Sequence, residues 1–259
     1  MNAKVWLVGA GPGDPELLTL KAMRALRGAD VVMIDQLVNP AVLEHCPSAK
    51  VIGVGKRGGC RSTPQAFIHR LMLRYARQGK CVVRLKGGDP CIFGRGSEEA
   101  EWLKARGIEV ELVNGITAGL AGATQCDIPL TLRGVARGVT LVTAHTEDDS
   151  ALNWQALAQS GTTLVVYMGV AKLEEVRREL LAGGMIGAMP VAMIENASLP
   201  QQRECFSDLN GMQEAALAFG LKAPAVLVIG EVVAQGAKQA VSNTVKALVD
   251  LDDRRVAGL

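Results

Sequence analysis

Residues 82–90 read VVRLKGGDP, a short apolar run that stops at a Gly-Gly-Asp-Pro turn. This pattern is typical of a buried strand followed by a tight turn. The same order of apolar run, turn and helical segment recurs along the chain, beginning with KVWLVG at residues 4–9. Strands that alternate with helices predict an α/β fold with mainly parallel sheets and helices on both faces.

Nine short runs rich in Val, Ile and Leu, each bounded by Gly, Asp or Pro, predict the strands. They are residues 4–9, 30–35, 50–54, 80–85, 108–113, 138–144, 162–168, 190–195 and 225–230. Apolar residues at helical spacing predict helices at 15–27, 64–77, 97–105, 117–125, 154–159, 172–181 and 209–219.

Turn residues at Asn114–Thr117 interrupt this pattern near the middle of the chain. We therefore expect two α/β domains, an N-terminal one at 1–114 and a C-terminal one at 115–240, with a ligand cleft between them. Open α/β sheets bind ligands beyond the carboxyl ends of their strands, so the loops there are candidate sites. A terminal helix with a frayed end is expected at 241–259.

The composition fits an ordinary globular protein: 259 residues, 49% hydrophobic and 21% charged, which excludes intrinsic disorder. No apolar run exceeds five residues and the N-terminus has no signal-peptide pattern, so we expect a cytoplasmic protein without a membrane partner. The net charge of +2 conceals a basic segment, because residues 50–106 hold 13 Lys and Arg against 4 Asp and Glu. Charge counts alone favour an ordinary basic surface over an anion-binding one, and no nucleic-acid partner is expected.

The six cysteines show no C-x-x-C pair, and the three histidines are isolated from one another. The cysteines are therefore predicted to be reduced thiols that serve as small apolar residues. No local spacing indicates a metal site, and we expect no metal.

The loop GAGPGD at residues 9–14, with Asp35 about 20 residues downstream, invites a comparison with dinucleotide-binding loops. Its third glycine stands at position 13, where that motif places none. Pro12 removes an amide donor, and Asp14 would repel a pyrophosphate. An NAD-dependent oxidoreductase therefore stays an alternative that the loop disfavours.

Several motifs in a fixed order resemble the tetrapyrrole methylase family of methyltransferases over roughly residues 4–235. They are VGAGPGD (8–14) with LLT (17–19), Asp35, GKR (55–57) with PQ (64–65), VVRLKGGDP (82–90) with IFGRG (92–96), IPLT (128–131), VT (142–143), VYMG (166–169), and EN (195–196) followed by QR (202–203). The chain departs from the family at Cys91, where Phe is usual, and at Leu132, where His is usual.

The resemblance implies two α/β domains that enclose S-adenosylmethionine, with S-adenosylhomocysteine as the product. It implies two methyl transfers to uroporphyrinogen III that give precorrin-2, on the way to corrinoids, sirohaem or haem d1. It also implies a homodimer. By motif, the expected cofactor-binding residues are Pro12, Gly87, Gly88, Asp89, Ile92, Thr117, Ala118, Met168, Ala197 and Ala225.

The reaction needs alignment of the donor with a carbon nucleophile and a base that removes a proton from a bridging carbon. The resemblance implies Asp35 and Lys56 for acid–base chemistry, with Arg95 and Glu98 as further catalytic candidates. Uroporphyrinogen carries eight carboxylates, so basic residues at loops are candidates for binding it. These are Arg57, Arg61, Arg84, Lys86 and Arg133.

Plainer interpretations remain open at this stage. Asp35 can be a helix cap or a solvated strand end, and Glu98 can be a first-turn carboxylate that favours the helix dipole. For the whole chain, the alternatives are a methylase that acts on a later precorrin and a tetrapyrrole carrier without catalytic activity.

Overall fold

The computed structural model describes residues 4–55, 63–145 and 152–238. The chain divides into two compact units, Met1–Ala118 and Gly119–Leu259, and each contains one sheet of five strands. The helix predicted at 241–259 lies outside the described residues.

The first unit is built on a parallel sheet in the order β3-β2-β4-β1-β5. Its strands are β1 (Lys4–Gly9), β2 (Val31–Ile34), β3 (Lys50–Gly53), β4 (Val82–Lys86) and β5 (Glu109–Val113). All five residues of the central strand β4 are buried, as expected for a strand that helices cover on both faces. Two clusters of buried apolar residues pack against this sheet.

In the described part of the first unit, three α-helices lie wholly within it: α1 (Leu20–Arg27), α2 (Gln65–Arg77) and α3 (Gly96–Lys104). The helix predicted at 15–27 is in fact two elements. A 3-10 turn, Pro15–Leu17, comes first, and α1 begins only after Thr19, whose hydroxyl accepts a hydrogen bond from the Ala22 amide. The glycine loop therefore does not open directly into an α-helix, unlike a dinucleotide-binding loop.

The second unit has a mixed sheet in the order β6-β7-β10-β8-β9. Its strands are β6 (Val139–Thr143), β7 (Thr163–Tyr167), β8 (Pro190–Glu195), β9 (Arg203–Asp208) and β10 (Ala225–Ile229). Only the β6–β7 pair is parallel. Helices of the second part of the chain include α4 (Ala118–Gln125), α5 (Trp154–Ala158), α6 (Leu173–Ala182) and α7 (Met212–Phe219), and an apolar core lies within the unit.

The predicted α/β class with two sheets is confirmed, and the nine predicted strands are all present with small changes at their ends. The strand β9 was not predicted, because its sequence RECFSD is polar and lacks an apolar run. It forms the edge of the sheet, where Arg203 pairs with the buried Glu195 of β8 (Nη2 to Oε2, 2.6 Å). None of the helices in the described part of the chain has the length and apolarity needed to cross a membrane.

Candidate active site

The carboxyl ends of the parallel strands bring the glycine loops of the first unit together. The loop after β1 meets the loop after β4 in a short antiparallel bridge between Gly11 and Gly88, whose amides bond each other's carbonyls at 3.2 and 2.7 Å. Both glycines have positive φ, at 76° and 67°, a conformation that favours residues without Cβ. Motifs that lie far apart along the chain, around Gly11 and Gly88, thus form one continuous loop surface.

The loop after β5 completes this surface through an unusually close backbone contact. A Cβ atom on Gly115 would lie 2.8 Å from the Gly9 Cα and closer still to the Gly88 carbonyl oxygen. These distances are far below van der Waals contact, so three loops meet at a point where only glycine fits.

Replacing Gly115 with Ala should destabilise the protein by about 1–3 kcal/mol, because the added methyl group meets backbone that has no flexible side chain to yield. It should also weaken binding of S-adenosylhomocysteine, the product that the family resemblance implies, since the loop surface has to separate. Urea unfolding and titration calorimetry measure the two effects. The matched control is Gly53→Ala, where the new Cβ has no atom within 4 Å. Equal stability of the two variants would contradict the tight contact.

Asp89 holds two of these loops in place with its buried carboxylate. Its Oδ1 accepts a hydrogen bond from the Cys91 amide at 2.7 Å. Its Oδ2 accepts bonds from the Gly115 amide at 3.0 Å and from the Asn114 side chain at 3.2 Å. The predicted cofactor-binding carboxylate is therefore already engaged by the loops after β4 and β5.

A cluster of four buried or half-buried charges lies behind the same edge of the sheet. Arg84, on β4, is 2% exposed and donates to Asp35 at the end of β2 (Nη2 to Oδ1, 2.6 Å). Its Nε faces the Glu99 carboxylate of α3 at 3.4 Å, and Glu99 is completely buried. Lys86 completes the set, with its Nζ 3.2 Å from both Glu99 oxygens.

A neutral side chain also bonds to this cluster, and burial shifts the pKa of two groups in and beside it. Gln65, at the start of α2, donates to Glu99 (Nε2 to Oε1, 2.7 Å) and lies 3.2 Å from the His69 Nε2. Burial lowers the pKa of His69, against the opposing effect of Glu99. Burial and the Arg84 cation likewise lower the pKa of Lys86 from 10.5, although Glu99 and Asp35 oppose the change.

The segment after β4 carries exposed side chains on a strained backbone. Phe93 and Arg95 both have positive φ, at 53° and 58°, which is uncommon for residues other than glycine. Arg95 forms two hydrogen bonds to Glu98, at 2.8 and 3.0 Å, and this contact lowers the pKa of Glu98. Two predicted catalytic residues therefore stand side by side at the start of α3.

In the second unit, three predicted cofactor-binding residues meet at one edge of the sheet. Met168 follows β7, Ala197 follows β8, and Ala225 begins β10, which lies between those two strands. The amide of Asn196 donates to the Pro224 carbonyl at 3.0 Å and so joins the last two segments. Met168 is 49% exposed with φ of 54°, and Asn196 has φ of 53°.

Two other parts of the second unit bear on the predicted site. Gly119, in α4, donates its amide to the Tyr167 hydroxyl at 2.9 Å, which links the start of α4 to the end of β7. Arg133 is exposed in the turn between Leu132 and Ala136, outside the strands of the sheet. No group of three or more His, Cys, Asp and Glu residues within 4–55, 63–145 and 152–238 is placed to hold a metal.

The structure thus gathers most of the predicted residues at two sheet edges, one in each unit. The edge of the first unit carries Asp35, Pro12, Gly87, Gly88, Asp89, Ile92, Arg95, Glu98, Thr117 and Ala118. Arg84 and Lys86 lie behind that edge with their charges paired. Lys56, Arg57 and Arg61 lie outside the described residues.

Sequence reasoning missed Glu99 and Gln65 as members of the site. Glu99 stands beside Glu98 in the run SEE at residues 97–99, and a count of charges does not distinguish the buried carboxylate from the exposed one. The helical period could have identified Glu99 as buried, because Glu99 lies on the same face of α3 as the apolar residues Ala100 and Leu103.

Each α/β unit carries its candidate residues on loops at one edge of a sheet. This arrangement is typical of the class of α/β proteins that bind small molecules on loops of a rigid scaffold. Residues 4–210 match the model of the tetrapyrrole (corrin/porphyrin) methylases, and the chain belongs to this family.

Two similar proteins share one name and nearly the length of this chain. The chain is 73% identical over 247 residues to a uroporphyrinogen-III C-methyltransferase of Pseudomonas fluorescens, covering 95% of this chain and 99% of that one. It is 71% identical over 242 residues to a protein of the same name from Pseudomonas aeruginosa, covering 93% and 99%. A solved uroporphyrin-III C-methyltransferase from Thermus thermophilus, complexed with S-adenosylhomocysteine, matches with a TM-score of 0.75 at 43% identity, covering 89% and 98%.

Proposed function

We propose that this protein transfers two methyl groups from S-adenosylmethionine to uroporphyrinogen III and so forms precorrin-2. The observation that carries the proposal is the sequence identity of 73% and 71% to two uroporphyrinogen-III C-methyltransferases, over 99% of the length of each. The loop surface of the first unit supports it, because its glycines and the buried Asp89 belong to the motifs that define the family resemblance.

The residues suit S-adenosylmethionine, whose sulfonium supplies an activated methyl group. Gly87 and Gly88 leave backbone accessible beyond the end of β4, where a ribose can approach closely. The exposed Met168 offers an apolar, polarisable surface in the second unit. Pro12, Ile92, Thr117, Ala118, Ala197 and Ala225 are proposed to complete the contacts with this group.

The basic residues suit a substrate that carries eight carboxylates. Arg95 and Arg133 are exposed and so can reach a ligand, whereas the Arg84 guanidinium is buried and already paired. A guanidinium binds a carboxylate through two parallel hydrogen bonds, which fixes the orientation of the ring. Arg57 and Arg61 stay proposed substrate contacts that lie outside the described residues.

Incubating the protein with uroporphyrinogen III and S-adenosylmethionine tests the proposal. We expect a product with two added methyl groups and two equivalents of S-adenosylhomocysteine. No methylated product would refute it, and methylation of a later precorrin instead would favour the alternative methylase. Calorimetry against S-adenosylhomocysteine and NAD separates the methyltransferase from an oxidoreductase, and binding of NAD alone would refute the methyltransferase.

Changing Arg133 to Ala should raise KM for uroporphyrinogen III by about 10- to 100-fold, because a charge-assisted hydrogen bond contributes roughly 1.5–3 kcal/mol. Turnover at saturation should change little, since Arg133 is proposed to bind substrate without touching the reacting atoms. Steady-state kinetics measures both constants. Arg178→Ala on α6, which removes a guanidinium paired with Glu179, is the control. An unchanged KM for Arg133→Ala would contradict the assignment.

We further propose that the protein acts in the cytoplasm as a homodimer, as the family resemblance implies. Light scattering coupled to size-exclusion chromatography measures the mass of the assembly. A mass equal to one chain of 27.3 kDa would overturn the homodimer. Cell fractionation followed by immunoblotting tests the location, and recovery outside the cytoplasmic fraction would overturn it.

A further inference from the structure

The Arg84 guanidinium is held on all three of its nitrogens. Nη2 donates to Asp35 at 2.6 Å, Nε faces Glu99 at 3.4 Å, and Nη1 donates to the Leu85 carbonyl at 3.3 Å. With 2% of its side chain exposed, Arg84 has little freedom to take another rotamer. A planar guanidinium fixed in this way also fixes the direction from which it meets Asp35.

Glu99 is the group that fixes the guanidinium from behind. Its fully buried carboxylate receives donors from Gln65 on α2 and from Lys86 on β4, in addition to Arg84. Burying such ion pairs is an inefficient way to stabilise a fold, because the desolvation cost roughly cancels the Coulomb attraction. The buried charges around Glu99 are therefore better explained by a role in fixing the orientation of the Arg84 guanidinium than by a role in stability.

Asp35 stands at the exposed end of this chain of contacts. Its side chain is 29% exposed, and within the described residues Arg84 is the one group that is hydrogen-bonded to its carboxylate. One oxygen therefore faces the buried cluster, while part of the carboxylate remains accessible at the loop surface.

We infer that Arg84 and Glu99 are positioning residues, which orient the Asp35 carboxylate toward the substrate through the contact sequence Glu99–Arg84–Asp35. This role differs from the substrate binding that the sequence predicts for Arg84. The inference rests on the proposed function, because it takes Asp35 to act on the tetrapyrrole. Holding a reacting group within a fraction of an ångström of its productive position raises the rate without changing cofactor affinity.

The test is a double-mutant cycle in kcat with uroporphyrinogen III. Arg84→Lys keeps the charge but removes the fork that joins two carboxylates, and kcat should fall about 10²-fold, the loss that a misplacement of about 1 Å causes. Affinity for S-adenosylhomocysteine should not change. Once Asp35→Asn has removed the carboxylate, adding Arg84→Lys should lower kcat no further, because the two residues act as a unit. Arg106→Lys, whose guanidinium stacks on Trp102, is the control with unchanged kcat.

A purely structural role would make the two losses multiply, and that result overturns the inference. Unchanged kcat in Arg84→Lys also overturns it. If Arg84→Lys does not fold, Glu99→Gln replaces it in the same cycle with the same expected result. Failure of the wild-type protein to methylate uroporphyrinogen III refutes the proposed function and the inference together, whereas multiplying losses in an active enzyme refute the inference alone.

Discussion

Asp35→Asn should lower kcat for methyl transfer to uroporphyrinogen III by about 10²- to 10⁴-fold, the range that general acid–base catalysis contributes. After the ring carbon attacks the sulfonium methyl, a proton has to leave a bridging carbon. Asn has nearly the same shape as Asp but does not accept that proton. Because the amide also keeps an oxygen for Arg84, the fold and the cofactor affinity should be retained. Steady-state formation of S-adenosylhomocysteine measures the loss in kcat.

Asp30→Asn is the matched control, since Asp30 and Asp35 flank the same strand, β2, at opposite ends. Asp30 accepts a hydrogen bond from the Cys81 amide at 2.8 Å and lies away from the glycine loops. Its substitution should cost at most about 1 kcal/mol of stability, the typical net value of one hydrogen bond, and leave kcat unchanged. If Asp35→Asn retained wild-type turnover, the proton would have to go elsewhere, and Lys56 would become the first candidate.

The strands could be predicted from the sequence because their apolar runs are continuous and their ends carry Gly, Asp or Pro. β4 departs from this pattern, since VVRLK contains two charged residues, and its prediction rests on Val82, Val83 and Leu85 and on the turn that follows them. Strand direction in the second unit could not be predicted in this way. Apolar runs look alike whether the neighbouring strand is parallel or antiparallel, and β9 has no such run.

In the candidate site, too, the sequence predicts local features but not the contacts between distant residues. The glycine loops could be identified from the sequence. A close backbone contact such as that of Gly9 with Gly115 leaves no room for a side chain, so both positions have to be glycine. The pairing of Arg84 with Asp35 and Glu99 joins residues that are 49 and 15 positions apart. Such pairs depend on which strands are neighbours. Arg84 and Lys86, both predicted to bind substrate, therefore lie in a buried charge network that the sequence did not reveal.

Glu99→Ala should destabilise the first unit by about 3–5 kcal/mol at pH 7, the usual cost of removing one partner from a buried ion pair. The variant leaves Arg84 and Lys86 next to each other, with Asp35 as the remaining carboxylate of the cluster. It also removes the acceptor for Gln65. Urea unfolding, followed by circular dichroism, measures the loss. Glu98→Ala is the matched control, because Glu98 is exposed on the adjacent position and its pair with Arg95 should contribute no more than about 1 kcal/mol to stability.

The loss in Glu99→Ala should shrink as the pH rises. Burial and Arg84 already lower the pKa of Lys86 below 10.5, and removing Glu99 takes away the anion that opposed them, so that pKa falls further. A lysine whose folded pKa is depressed favours the folded state above its unfolded pKa, and this stability is lost as the pH falls through the folded pKa. The difference in unfolding free energy between wild type and Glu99→Ala should therefore be smaller at pH 9 than at pH 7. Part of the difference should persist, because the variant also loses the contacts of Glu99 with Arg84 and Gln65, which do not involve Lys86. A difference that is independent of pH would mean that Lys86 finds another anion in the variant.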